Sequence, residues 1–474
     1  MKGNSVEQSL SLKERIKRLI QAEDPEPENI QVLSFFEKIG GEEGAEILAG
    51  YTLPNLTSLD LSDMEIGGNG ATKLSNNQTW CKLKQLILKG NKLRDSGINS
   101  LAQNTTWEKL EILGLAENAI GCEGATALAA NTTWKNLLQL HLTSNKIGEE
   151  GAKKLGENIT WISLEMLFLM NNRIGPKGAS RLSSNSSWVN LRMLSLSLNN
   201  IGDEGAANLA TNTSWTNLQT LELMANKIGP AGATKLALNA SWVNLKELDL
   251  AQNDLGGEGA FGLSANKSWQ NLETLNLSNT NLGDKGAVGL AANTSWGKLR
   301  LLNLQHNSIA DAGVAALSEN KTWTELKILY LGGNMIGDSG AASLGSNTIW
   351  TSLEELDLSH NSIGDAGLAK LSLNETWRKL ETLVLTGNKF GDEGVSELGK
   401  NKSWSNIGII EFADIMVSGR VCLELVLNPF WPKLHSVELL KDDLGIAAIK
   451  AMAIISTRDL DALDPIEEEE EETE

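Results

Sequence analysis

Cysteine is scarce in this chain: three residues in 474, Cys81, Cys122 and Cys422, form no CxxC pair and no even framework. A disulfide scaffold is excluded, a reducing compartment is the simplest reading, and the three thiols are expected as small buried hydrophobes. No run of about 18 apolar residues occurs, so no bilayer-spanning helix is expected. The opening residues MKGNSVEQSLSLKERIKRLIQ disperse their apolar side chains among charges, which leaves no Sec-type signal core. Positive charge is short as well, with 41 Lys and Arg against 60 Asp and Glu, a net charge of -19 and a pI near 4.8. Such a chain repels phosphate, so nucleic acid and anionic membranes are poor partners and basic protein surfaces better ones.

Aromatic residues make up only 5% of the chain, and their order is inverted, with 14 Trp against 7 Phe and 2 Tyr. All the tryptophans, from Trp80 to Trp431, stand 27 residues apart. Self-similarity this strict specifies a solenoid, in which one core can grow past the size at which a globular domain would split. The unit reads LxxLxLxxNxIGDEGAxxLAxNxSWxx, with thirteen clear copies starting at Leu56 and ending with the one from Leu380, and degenerate copies from Ile407 and Leu434.

Each position of the unit has a physical task. Leucines at positions 4 and 6 alternate with variable residues at 3, 5 and 7, the period of a half-buried strand with its leucines inward. Position 9 is Asn in eleven of thirteen copies, Met64 and Thr280 excepted, and a stacked amide there can hydrogen-bond the backbone of neighbouring coils. Gly at position 12 permits a positive φ, and Asp203, Asp284 and Asp365 are expected to cap the short helix that follows. Gly at position 15 allows close packing, and Asn at position 22 suits a left-handed helix end. Position 25 is the tryptophan, a core position, since one indole buries ~200 Å² and solenoid cores are contiguous. Twelve of the helix-end asparagines begin an N-x-Ser/Thr sequon, a regularity that argues structural use rather than twelve glycans.

These residues resemble the leucine-rich repeat of the ribonuclease-inhibitor-like subtype over roughly residues 39–455. The resemblance implies an α/β solenoid, a horseshoe with parallel strands on the concave face and helices on the convex face, binding proteins on that concave face. The chain departs from the subtype in a 27-residue unit, where 28 or 29 is usual, and in using Trp where Leu is usual. NOD-like receptor sensor domains and Ran GTPase-activating proteins share the subtype. The near-identical, unadorned copies are most similar to repeat proteins of intracellular bacteria. The expected organisation is an N-terminal helical segment and cap at 1–55, thirteen repeats at 56–406, degenerate repeats and a C-terminal cap at 407–463, and a disordered acidic tail at 464–474.

No enzyme chemistry is legible. Gly394 to Lys400 imitates a phosphate loop but continues with Asn401 and fills the helix of a repeat. His306 and His360 share position 8 two coils apart, ~10 Å by strand spacing, too far to bridge one zinc without further ligands. They are expected as solvated side chains or partner contacts, while His141 and His435 have no catalytic companion. No cofactor and no metal are expected.

The variable strand positions carry the functional signal. Met166, Phe168 and Met170 occupy positions 3, 5 and 7 of one copy, and neighbouring copies add Met193, Leu198 and Met224 where others hold polar residues. An apolar patch on an open face marks an interaction site, and Met suits adaptable recognition. Phe168 is expected to be exposed, and a smaller patch is expected around Leu301, Ile328 and Tyr330. The function expected is a monomeric, non-catalytic scaffold that binds a protein partner. The resemblance makes it a bacterial effector acting on a host protein, with a Ran-type GTPase activator as the alternative. The last sixteen residues hold ten acidic groups and no basic one, similar to glutamate-rich type IV secretion signals. The expected location is the cytoplasm, or a host cytoplasm reached by a non-Sec route.

Overall fold

The computed structural model describes residues 11–35 and 38–438, so the acidic tail and the end of the expected C-terminal cap lie outside the described residues. The chain divides into two compact units, one up to Leu299 and one from Arg300. No described helix is long and apolar enough to cross a membrane.

Among the described residues the first element of the first unit is the helix Leu12–Glu23, whose Ser11 and Glu14 form a capping box and whose Ile16 and Ile20 are buried. Ten three-residue strands then pair in parallel and in chain order, from β1 (Val32–Ser34) to β10 (Thr274–Asn276). Registers set Ser58 against Gln85 and Gln85 against Ile112, so the repeat length is also the step from strand to strand, while the capping strand is one residue short of it, with Val32 against Ser58. The second unit pairs β11 (Leu301–Asn303) to β16 (Ser436–Glu438) in the same way. Between successive strands runs a helix of seven to nine residues, such as Gly175–Ser183 or Asp365–Leu371. This is the expected alternation of parallel strand and helix.

One coil shows how the sequence fills it. Leu164, Leu167, Leu169, Ile174, Ala179, Leu182 and Trp188 are all fully buried, which uses every apolar position of the unit. The fourteen indoles are buried throughout, and each Nε1–H lies inside without a hydrogen-bond acceptor. At ~25 cal/mol per Å² each ring contributes about 5 kcal/mol of apolar burial. That exceeds the ~1–3 kcal/mol an unpaired buried N–H costs, so the ladder is net stabilising.

Position 9 stitches coils together. Asn118 Oδ1 accepts from the amides of Asn91 (3.0 Å) and Leu93 (3.2 Å), and its Nδ2 donates to the Leu88 carbonyl (2.8 Å). In the second unit Asn334 does the same with Asn307, Ile309 and Leu304. Position 22 forms a second ladder. Asn158 Nδ2 donates to Ala129 O (2.8 Å) of the preceding coil while Oδ1 accepts from the amides of Thr160 and Trp161 (3.0 Å each). The left-handed helix end expected there is incorrect: Asn131 has φ -68°, because the residue is chosen for its amide, not for its backbone.

The helix cap is also corrected. Asp203 lies inside its own helix, Gly202–Leu209, and its Oδ1 accepts from Gly229 N–H (2.6 Å) and Gly232 N–H (2.9 Å) at the start of the following coil's helix. Asp365 reaches Gly391 and Gly394 in the same manner, and Asp284 likewise sits in the first turn of its own helix, Gly283–Ala291. Where such a carboxylate precedes, position 12 is extended, as at Gly229 with φ -101°. Where Cys122, Glu149 or Pro176 stands in its place, position 12 is left-handed instead, with φ of 67° at Gly148, 65° at Gly175 and 61° at Gly202. Gly202 then donates to Asn226 O (2.9 Å). Position 12 thus needs a positive φ only in coils whose predecessor lacks the aspartate.

Two thiols contradict the expected burial. Cys81 follows Trp80 at an outward position and Cys122 opens a helix, and both are exposed. Cys422 alone is buried, which pushes its thiol up to about 11.

Candidate functional site

The outward face of the strands carries positions 3, 5 and 7. In the first unit the register aligns His141, Phe168, Ser195, Glu222 and Asp249 in one row, and Gln139, Met166, Met193, Thr220 and Glu247 in the next. Met166, Phe168, Met170, Met193 and Met224 are half-buried and Leu198 is 42% exposed. The expected exposure of Phe168 is therefore corrected: the imidazole of His141 stacks on its ring at 4.3 Å between centroids, and cross-strand neighbours on one face shield one another. Burial holds the His141 pKa below its ordinary value.

Leu198 is held in an unusual way. It sits at position 8, where the chain is left-handed, with φ 59°. Other coils of this unit place Asp63, Gly90, Glu117, Ser144, Asn171, Ala225, Gln252 or Asn279 there, all smaller or polar. A leucine pays about 1–2 kcal/mol for the conformation.

Beside this apolar group stand Glu222, Glu247 and Asp249. Two cations next to the face strands are engaged elsewhere, Arg192 with Glu165 (3.7 Å) and Lys246 with Glu273 (3.3 Å), and none of the three acids has an ion pair among the described residues. Burial, and then the charge of Glu222, push the Asp249 carboxyl above its ordinary value, against a hydrogen bond from Ala251 N–H (2.9 Å).

The second unit carries the smaller group. Leu301, Ile328 and Glu355 share one row, Asn303, Tyr330 and Asp357 the next. Tyr330 is half-buried, and burial followed by the charges of Glu355 and Asp357 pushes its hydroxyl up to about 12. Asp357 is buried and accepts from Gln305 Nε2 and Ser359 N–H, 2.7 Å each. His306 and His360 cover the backbones of Gly333 and Gly387, where any side chain would collide with the rings. Among the described residues no group of three His, Cys, Asp or Glu could hold a metal ion. The loop imitated by Gly394 to Lys400 is the helix Asp392–Leu398, and its Gly394 amide is taken by Asp365.

A further apolar row escaped the sequence reading. Ile162, Val189 and Val243 occupy position 26, directly after the tryptophan, and are 56%, 46% and 45% exposed. The signal was available: apolar residues in three of four consecutive copies at a place where others hold Glu108, Lys135, Gln270 or Arg378.

Ten segments of the chain match the family described as Leucine Rich repeat, at residues 52–75, 135–156, 189–210, 216–237, 243–264, 270–291, 298–318, 324–345, 351–372 and 378–399. No curated protein sequence matches the chain. Among solved structures it is similar to an internalin, inlF, of Listeria monocytogenes, at 19% identity over 90% of this chain and 94% of that one, with a TM-score of 0.50. It is also similar to the yeast Rad7 and Elc1 complex (17% identity, 92% and 98% covered, TM-score 0.44). A third is the plant peptide hormone receptor RGFR1 in complex with RGF2 (18% identity, 83% and 68% covered, TM-score 0.42). At 19% identity the likeness to the internalin speaks for the fold alone.

Proposed function

This chain is a leucine-rich repeat protein, and on that premise we propose that it is a non-catalytic scaffold that docks a protein partner on the outward strand face around Phe168. The observation that carries the reading is the gathering of Met166, Phe168, Met170, Met193, Leu198 and Met224 in three successive coils, at positions that are polar in most others. Leu198 adds weight, because a leucine in the left-handed region costs stability and still leaves 42% of its surface exposed. Tyr330 is a second contact in the other unit. The unpaired carboxylates beside the first patch favour a basic partner over nucleic acid or an anionic membrane. In its finer form the reading is a monomeric ribonuclease-inhibitor-like repeat protein, cytoplasmic or exported by a non-Sec route, that acts as a bacterial effector on a host protein. That form is supported by the near-identical copies and the glutamate-rich end. Affinity capture from eukaryotic lysate with the native chain, Phe168→Asp and Ser278→Asp as parallel baits tests it. A protein retained by the native chain and Ser278→Asp but lost from Phe168→Asp is the result expected; equal recovery on all three baits removes the assigned face.

A further inference from the structure

We propose that the docking surface continues from the strand face onto the edge that enters the strands. The segment seated there presents apolar side chains to Ile162, Val189, Met166 and Met193 and a Lys or Arg to Glu222, Glu247 and Asp249. This rests on the scaffold reading and extends it to residues outside the strand face, with a stated chemistry for the partner.

Two independent sets of positions converge on the same coils. The strand-face cluster lies at positions 3, 5, 7 and 8, while the edge row lies at position 26, and both turn apolar together in the coils that Met166 and Met193 belong to. Ile162 precedes Met166 by four residues and Val189 precedes Met193 by four; between them Leu164 and Leu191 are buried while Ser163, Glu165, Asn190 and Arg192 reach the surface. Along each segment the apolar surface therefore comes in two patches, one at the edge and one on the face, with the Glu165–Arg192 ion pair between them.

The edge is also built rigid at this place. Asn190 Nδ2 donates to Ile162 O (2.8 Å), Asn217 to Val189 O, Asn244 to Thr216 O and Asn271 to Val243 O (2.9 Å each). Four consecutive amides thus occupy the edge carbonyls. What the edge offers a partner is side chain rather than unpaired backbone, already fixed in position, and fixing a surface before binding lowers the entropy cost of association.

Charge selects the occupant. Three carboxylates adjoin the apolar surface on β8 (Thr220–Glu222) and β9 (Glu247–Asp249), and the neighbouring Arg192 and Lys246 are turned to Glu165 and Glu273. The position facing these acids in a complex is favourable for a cation and unfavourable for a second copy of a chain with net charge -19. The occupant is a basic, amphipathic segment of another protein.

The test uses the full chain with methyl-labelled methionine and three labelled synthetic peptides of about 18 residues, one amphipathic in Leu and Lys, one in Leu and Glu, one of Ser and Lys only. Affinities are read by fluorescence anisotropy at about 0.15 M salt, and methyl shifts locate contact, with the exposed Met335 and Met416 of the other unit as reference methyls. The Leu/Lys peptide is expected to bind and to shift Met166 and Met193. Ile162→Asp and Val189→Asp should each weaken it about tenfold, and the triple variant Glu222→Gln, Glu247→Gln, Asp249→Asn should weaken it about tenfold and flatten its salt dependence. Melting curves, with Val189→Ser as a milder variant, establish that the proteins compared are folded. If Phe168→Asp weakens binding but the two edge variants do not, the extension is wrong while the scaffold reading stands; if Phe168→Asp is silent too, both fall. Equal binding of the Leu/Glu or Ser/Lys peptide, no binding of the Leu/Lys peptide, or a homodimer abolished by Val189→Asp overturns the proposal.

Discussion

His141 and Phe168 stack across adjacent strands, ring centroids 4.3 Å apart and planes 14° from parallel. Burial disfavours the charged imidazole, so the folded-state pKa lies below the ordinary 6.5. The unfolded chain therefore takes up the proton first, and folding stability falls as pH drops below about 6.5 toward the lowered value. In urea titrations at about pH 7.5 and 5.5 the native chain should lose more stability than His141→Phe, which keeps the stack and cannot titrate. Equal losses would mean that the imidazole is not desolvated by its partner.

The tryptophan ladder makes a graded prediction. Trp242→Ala should cost ~3–5 kcal/mol, the range for emptying a large core site. Trp242→Phe loses area but also removes a buried N–H without an acceptor, so its cost should stay under about 2 kcal/mol. A urea titration in which both variants lose the same amount would contradict the unpaired indole.

Capping across coils predicts where damage appears. Asp203→Ala should destabilise by about 1–2 kcal/mol, and hydrogen exchange should show lost protection in the helix Pro230–Leu236 of the next coil rather than in Gly202–Leu209. Protection lost in the residue's own helix would restore the local cap that the sequence suggested.

At Leu198 stability and binding should move in opposite directions. Leu198→Asn places a residue that tolerates the left-handed region, as Asn171 and Asn279 do at the equivalent places, and should gain ~0.5–1 kcal/mol. Partner affinity should fall. A variant that is less stable than the native chain would show that the leucine packs for the fold.

The repeat, the strand parity, the buried tryptophans and the Asn91-type ladder were legible because each depends on a residue's own position within a unit seen thirteen times. What escaped depends on neighbouring coils. Asp203 finds its amide partners 26 and 29 residues on, which no reading of an isolated helix supplies. Parity placed Phe168 on the correct face but could not show His141 lying against it. Residue type alone points Cys81 and Cys122 to the core, although their places, after the tryptophan and in the first helical turn, are outward ones. The edge row at Ile162 and Val189 was hidden by its neighbour: the invariant tryptophan drew the reading inward.

The strand face around Phe168 is tested most directly by calorimetry of Phe168→Asp, Ser278→Asp and Thr386→Asp against a purified partner, with urea titrations beside it. Phe168→Asp should lose several kcal/mol of affinity by burying a carboxylate at the contact, with folding stability within about 1 kcal/mol of the native chain and each control within about 1 kcal/mol in affinity. Affinity of Phe168→Asp equal to that of the controls would place the docking site elsewhere.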